Sequence, residues 1–298
     1  MSLSLPAPFA ARRAAPTDVE AIAALFNACD EAYSPEPVKI GKREVAKWLE
    51  LATASIVVTR ANGEVVAAGR TMPRGDVLAA ESLVLPEAGG LGIGSFLLAW
   101  SEDEARGQRS GSLRHSVLGS DERAKRLLTT HGYGYVRSFY RMVIDLDESP
   151  PAPHWPDGIT VTPLRESEER VLHEVIEDAF AEHWGHVPRT FEEWRPREMI
   201  EHDLTFLARD GDEVAGTVVC HEDLWGVALV GILGVRKPWR GRGLGRALLL
   251  HGFGALYERG KRRIGLGVDA GNETGALELY RSAGMRIGAQ DDVYEKRV

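Results

Sequence analysis

Between Arg236 and Arg246 the chain packs positive charge around glycine. Five basic side chains (Arg236, Lys237, Arg240, Arg242 and Arg246) and no acidic one surround Gly241, Gly243 and Gly245, in a half of the sequence whose net charge is −6. Glycines at a strand-to-helix junction let backbone N–H groups crowd an oxyanion, and the helix N-terminus adds about half a positive charge. Arginine brings forked donors that match phosphate oxygens. The segment therefore reads as a pyrophosphate or polyphosphate site, against the plainer reading of a solvated basic face. Two nucleotide signatures are excluded. A dinucleotide fingerprint needs glycine where Arg246 stands, and a P-loop needs Gly-Lys-Ser/Thr, which is absent. What fits is Arg-x-x-Gly-x-Gly, formed by Arg240, Gly243 and Gly245, opening an apolar helix through Leu248.

A second segment follows at the distance another helix and strand would occupy. It runs Val268, Asp269, Ala270, Gly271, Asn272 into a helix carrying Ala276, Leu279, Tyr280 and Ala283, stopped by Gly284. A phenol at Tyr280 can protonate a leaving thiolate, although the same ring also suits a core. Loop and segment together resemble the GCN5-related N-acetyltransferases (GNAT family). The resemblance implies acetyl-CoA as co-substrate, no metal, and direct attack by a primary amine with no covalent enzyme intermediate. It also implies residue roles. Arg240, Gly241, Arg242, Gly243, Leu244, Gly245 and Arg246 would hold the pyrophosphate. Leu233, Gly234 and Val235 would run beside the pantetheine arm, with one of their amides polarising the thioester. Asn272 and Ala276 would meet the same arm, and Tyr280 would protonate the thiolate.

The family often places a carboxylate on the strand before the loop as general base, and here that position is Leu229. Substitutes stand at the end of the preceding strand (His221, Glu222, Asp223) and after the half's first helix (Glu182, His183, Trp184). Glu222 and His183 are the two carried forward as candidate bases. Phe191, Glu192, Glu193 and Trp194 offer an acceptor wall, with a solvated helix face as the plainer account.

Elements must position these groups, and the chain supplies them twice. Each half opens with a short strand and a polar-capped helix, continues through a hairpin, and leads a strand into a glycine cluster and a helix. Gly94 and Gly245 are 151 apart, and Gly132 and Gly284 are 152 apart, so the offset is nearly constant. Alternating strands and helices make each copy an α/β (α+β) domain around a mixed sheet. The resemblance sharpens this to two tandem GNAT domains, each a mostly antiparallel twisted sheet flanked by helices. Prolines 150, 151, 153 and 156 mark a linker. The expected divisions are 1–149, a linker at 150–158, and 159–298.

The copies differ in chemistry. Gly89 stands where Arg240 does, Ser120 where Asn272 does and Leu128 where Tyr280 does, and the one charge from Pro86 to Phe96 is Glu87. The first domain is expected to be degenerate: structural, regulatory or a wall of the acceptor pocket. Tandem pairs with an active second copy resemble the mycothiol synthase-like two-domain acetyltransferases, which implies acetylation of a cysteinyl sugar as one reading. A non-catalytic acyl-CoA sensor is another.

Composition sets the outer limits. The 298 residues carry a net charge of −8, with 44% apolar and 27% charged side chains, which excludes disordered and collagenous chains. Two cysteines, Cys29 and Cys220, stand far apart without metal-ligand spacing, so neither a disulfide scaffold nor a zinc site is expected, and a reduced cytoplasmic setting is. The longest apolar run, Val227 to Val235, is far below a membrane span, and the order of Pro6, Pro8, Arg12 and Arg13 is wrong for a secretory signal. The expected partner is a small-molecule amine, with no nucleic acid and no membrane.

Overall fold

The computed structural model describes residues 5–224, 226–272 and 274–298. Residues 1–4, the start of the segment read against a secretory signal, lie outside them. By internal contacts the chain forms two compact units. One comprises residues 1–140, 269–271 and 288–298, and the other comprises residues 141–268 and 272–287.

The first unit holds β1 (Ala10–Arg13), α1 (Val19–Tyr33), α2 (Lys42–Glu50), β2 (Ala54–Thr59), β3 (Val65–Arg74), β4 (Val77–Val84), α3 (Ile93–Gly107), β5 (Ser112–Leu118), α4 (Glu122–Thr130) and most of β6 (Gly134–Asp145). β1 to β4 are antiparallel neighbours, while β4 and β5 are parallel. The next neighbour of β5 is the chain's last strand, described below as β12, so the exchange of terminal strands and not the proline-rich segment sets the units' composition. Trp48 of α2 and Ile22 and Leu25 of α1 cover Val57 and Ala68 on one face. Ile93 and Leu97 of α3 cover Val58 and Val66 on the other.

The second unit repeats the plan with β7 (Ile159–Pro163), α5 (Glu169–Phe180), α6 (Phe191–Trp194), β8 (Thr205–Asp210), β9 (Glu213–Leu224), β10 (Val227–Val235), α7 (Leu244–Glu258), β11 (Arg263–Asp269) and α8 (Ala276–Ser282). β12 (Arg286–Arg297) follows and pairs antiparallel with β5, from Asp291 opposite Leu118 to Arg297 opposite Ser112. Within the second unit the order is β11-β10-β9-β8-β7, with β10 and β11 parallel and the other pairs antiparallel.

The strands form where β-branched residues run without polar interruption, as in Val214, Val218 and Val219. The helices form where apolar residues recur at helical spacing. In α5 these are Leu172, Val175, Ile176 and Ala179, which bury against Leu207 and Val219. α7 lies on the opposite face and comes close because Gly252 has no side chain. A Cβ there would stand 2.9 Å from Cys220 Sγ and 3.1 Å from Val218 Cγ2.

Gly216 on β9 is tighter still, because a Cβ would meet the Gly234 carbonyl oxygen at 2.6 Å and Leu248 Cδ1 at 3.1 Å. A backbone oxygen cannot swing aside as a side chain can. Gly216→Ala should therefore lower stability by about 1–3 kcal/mol, the range for overpacking. A urea titration checks it, and an unchanged midpoint contradicts this account of the β9–β10 approach.

Candidate functional site

β10 organises the site by parting from its neighbour. Its parallel ladder with β11 covers only Ala228 opposite Ile264 and Leu229 opposite Gly265, while its antiparallel ladder with β9 continues to Val235. From Val230 onward the β11 side of the strand therefore presents backbone N–H and C=O groups without a ladder partner among the described residues. The β9 register shifts between Val230 and Ile232, a β-bulge at Gly231. Leu233, Gly234 and Val235 lie on this unpaired stretch. Gly234 is closely covered, since a Cβ would stand 3.1 Å from Ala179 Cβ.

At the end of β10 the chain makes a short 3-10 turn over Lys237–Trp239 and enters α7 through Gly241 (φ 75°) and Gly243 (φ 85°), a left-handed conformation that favours glycine. A Cβ at either glycine would meet nothing within 4 Å, so both face open space. Among the described residues, the backbone N–H groups of residues 241–246 have no protein acceptor, and the first bond of the helix runs from Ala247 N–H to Gly243 O at 3.1 Å. Six consecutive donors thus point outward at the positive end of a helix of 15 residues, which suits an anion.

The side chains of this loop divide into two groups. Arg240 turns inward: its Nε donates to Val235 O at 3.0 Å, one terminal nitrogen to Ala179 O at 3.0 Å, and the other to Glu182 at 3.3 Å. Lys237 also pairs with Glu182 at 3.0 Å, and Arg236 with Asp178. The Lys237 ammonium, then Arg240, holds the Glu182 carboxyl below the usual range. Two carboxylates from the end of α5 and just beyond it thus offset charge that the sequence shows as five uncompensated cations. Arg242 is exposed and has no partner among the described residues. Arg246 donates to Ser282 Oγ at 3.0 Å, which ties the start of α7 to α8, and Leu279 adds packing there, 3.5 Å from a Cβ built on Gly245.

α8 carries Tyr280. Its ring is buried, its hydroxyl bonds to none of the described residues, and it is not among the buried unpartnered atoms, so the oxygen keeps contact with solvent. Burial pushes the phenol up to about 12, because the phenolate would lose its hydration. The Asn272 carbonyl accepts from Thr274 N–H at 2.8 Å and Thr274 Oγ1 at 2.6 Å, and lies 3.4 Å from Ala276 N–H, which shapes the entry to α8. Its amide nitrogen donates to no described residue.

The two candidate bases have different surroundings: Glu222 is held in ion pairs, and His183 packs on Phe180, whose Cε2 would stand 3.5 Å from a Cβ on Gly234. Glu222 is bound by Arg259 and stands 3.7 Å from Lys261. His183 stacks on Phe180 with ring centroids 4.4 Å apart, in a turn closed by its N–H on Phe180 O. In α6, Glu192 pairs with Arg170, Glu193 caps the helix through Thr190, and Trp194 is core. Among the described residues no group of three or more His, Cys, Asp or Glu could hold a metal ion, and no helix is long and apolar enough to cross a membrane. His221, one of the substitutes named from the sequence but not carried forward, lies against the β-bulge at Gly231, a placement that depends on strand register.

In the first unit, the counterpart of this loop is partly covered by the unit's own residues, although Gly90, the counterpart of Gly241, still faces open space. A Cβ on Gly89 would overlap the Arg123 guanidinium, which donates to Pro86 O at 3.2 Å. Pro6 Cγ lies 3.4 Å from a Cβ on Gly92, and Leu5 and Phe9 pack beside it against a cluster that includes Ile93 and Leu97.

Known proteins are similar to this chain in sequence and fold. The Acetyltransferase (GNAT) family profile matches residues 19–133 and again 170–285. A mycothiol acetyltransferase of Thermobispora bispora is 30% identical over 300 residues, 95% of this chain and 98% of that protein. One from Catenulispora acidiphila is 32% identical over 227 residues, covering 72% and 71%. A crystal structure of a GCN5-related N-acetyltransferase from Sphaerobacter thermophilus superposes with TM-score 0.82 at 34% identity, covering 99% of this chain and 97% of that one. A tandem GNAT protein from the clavulanic acid biosynthesis pathway shares the fold, with TM-score 0.77 at 17% identity over 97% and 98%.

The raised phenol has a pH consequence. Because its folded value lies above the unfolded one of about 10, Tyr280 contributes its stability below pH 10, and that contribution is lost as pH rises toward 12. An ultraviolet phenolate titration of wild type minus Tyr280→Phe should isolate a phenol titrating near pH 12. A difference step near pH 10 contradicts its burial.

Proposed function

The chain belongs to the GNAT acetyltransferase family, and on that premise we propose that its second unit transfers acetyl from acetyl-CoA to a primary amine by direct attack. It is an N-acetyltransferase with two GNAT domains, and enzymes of this family use acetyl-CoA. In this proposal the degenerate domain is 1–149, the linker 150–158 and the catalytic domain 159–298, with the last strand, β12, contributed to the first compact unit.

The observation that carries the reading is the run of unpartnered N–H groups over residues 241–246 at the end of a strand whose edge is open. The pyrophosphate binds those amides, with Arg242 and Arg246 as side-chain cations. Arg240 braces the loop against Val235 O and Ala179 O and keeps its charge close by. The pantetheine arm lies along Leu233, Gly234 and Val235, where an unpaired N–H polarises the thioester carbonyl as the tetrahedral oxyanion forms. Asn272 and Ala276 border the arm, and the unpaired Asn272 amide is a donor to it. Tyr280, neutral at any working pH and with its hydroxyl uncommitted, gives its proton to the departing thiolate. That uncommitted hydroxyl favours catalysis over a sensing role.

The first unit binds no cofactor in this reading: its loop carries no basic side chain, Gly89 replaces Arg240 with Arg123 filling the space beside it, and Pro6 lies against Gly92, the counterpart of Gly243. The acceptor is a small amine. The relatives named mycothiol acetyltransferase support a cysteinyl sugar as the first amine to assay.

Isothermal titration with acetyl-CoA should give one site per chain, weakened at least about tenfold in Arg242→Glu by reversal of one phosphate-binding charge. Tyr280→Phe should lower kcat about 10- to 100-fold with the affinity for acetyl-CoA retained. Two equal sites, or an unchanged kcat, contradicts the proposal.

A further inference from the structure

An amine that attacks a thioester must lose a proton. The position where the family resemblance implies a carboxylate is Leu229, and Glu222 is held by Arg259 and Lys261. The geometry points to His221 as the general base of the proposed acetyl transfer, with Glu201 as its positioning residue. The assignment rests on the acetyl-transfer reading.

β9 places His221 directly opposite Leu229, the last residue of β10 paired to β11. The bulge that follows turns Gly231 onto the imidazole, and a Cβ there would stand 3.0 Å from both Cδ2 and Nε2 of His221. Any other residue at 231 would displace the ring, so glycine lets the imidazole rest against the strand backbone. The Nε2 edge therefore lies where β10 leaves β11, two residues and about 7 Å of strand before Leu233. The base, from β9, thus lies against the same strand, β10, whose open edge faces the cofactor.

The other ring nitrogen faces a carboxylate. Nδ1 is 3.5 Å from Glu201 Oε1, and Glu201 Oε2 accepts from the Glu222 N–H at 3.4 Å, which orients the carboxylate. A carboxylate on that side favours the tautomer with the proton on Nδ1, leaving Nε2 with the lone pair, and it stabilises the imidazolium once formed. The ring is buried while Glu201 is about one-third exposed, which leaves the pair a route to exchange protons with water.

Other charged groups stand on each neighbouring element: α5 carries Glu169, on Arg195 and His202, and His173, whose Nε2 faces Arg189 O, and α7 carries His251, whose pKa is lowered by burial. On β9 itself stand Glu222, bound to Arg259, and Asp223. Ahead of β8 stand His202, on Glu169, and Asp203, on Arg259. β10 contributes Leu229 and Gly231, neither of which titrates.

The step balances. The amine nitrogen lone pair forms the N–C bond to the thioester carbonyl carbon, and Nε2 of His221 takes a proton from that nitrogen. The tetrahedral intermediate then expels sulfur with the C–S electron pair, and sulfur takes the Tyr280 proton. The products are the N-acetyl amine and free CoA, and both side chains return to their starting states by exchange with water.

The test is CoA release from acetyl-CoA, with a panel of primary amines (a cysteinyl sugar, polyamines, aminoglycosides, amino acids) and without amine. Wild type, His221→Gln and Glu201→Gln are compared across pH, with acetyl-CoA affinity measured by calorimetry on each. His221→Gln should lose about 100-fold or more in kcat while binding acetyl-CoA within about twofold of wild type. Glu201→Gln leaves the histidine in place and tests it independently. Removing the facing carboxylate should shift the acidic limb of kcat/KM to lower pH, an effect that a merely structural residue would not produce. His221→Gln with wild-type kcat, or Glu201→Gln with an unmoved limb, overturns the assignment and leaves acetyl transfer standing. Wild type without turnover under every condition overturns the acetyl-transfer reading, and the base with it.

Discussion

The second unit depends on one broken ladder. β10 is bonded on both sides through Leu229 and on one side only beyond it. Unpaired backbone polar groups are costly when buried, so such an edge persists where water or a ligand can reach it. The parting frees the edge of Leu233 to Val235, delivers the chain end to the glycine loop, and coincides with the bulge that sets Gly231 against His221. Gly216 and Gly252 support it from behind, letting Val235 and α7 come close enough to hold the strand as it leaves its neighbour.

Around that edge, side chains act mainly as braces and the backbone as the binding surface. Arg240 spends its donors on Val235 O, Ala179 O and Glu182, and Lys237 and Arg236 are paired with Glu182 and Asp178. Exposed ion pairs contribute little stability each, but these fix where the loop lies, so the amides of residues 241–246 are presented in advance. A ligand then pays less ordering entropy than it would for a loose loop. Tyr280 follows the same logic, since α8 is held to the start of α7 by Leu279 and Arg246.

Much of this was legible in the sequence because it is local. The hairpin turns, the left-handed glycines and the order of strand, loop and helix follow from residue types a few positions apart, and so does the duplication. The placement of Tyr280 on a short helix after Asn272 was equally legible. The rest needed contacts between distant residues. The basic run from Arg236 to Arg246 looked uncompensated because Asp178 and Glu182 lie more than fifty positions away. Glu222 looked available because Arg259 is far along the chain. Asn272 reads as a ligand contact in sequence, while its carbonyl also shapes the turn into α8. The first unit's loop looked merely acidic, yet Arg123 from α4 lies against Gly89 and Pro6 against Gly92. The exchange of β12 into the first unit leaves no local signature at all.

The two units thus keep one backbone plan and divide in use. Where the second unit leaves Gly243 facing open space beside Arg240, the first sets Pro6 against Gly92 and Arg123 beside Gly89, which replaces that arginine. The most direct test of this account is amide hydrogen exchange with and without acetyl-CoA, read residue by residue. The account predicts protection over residues 231–246 and none over 86–96. Protection over 86–96, or exchange at 241–246 unchanged by a saturating cofactor, would contradict it.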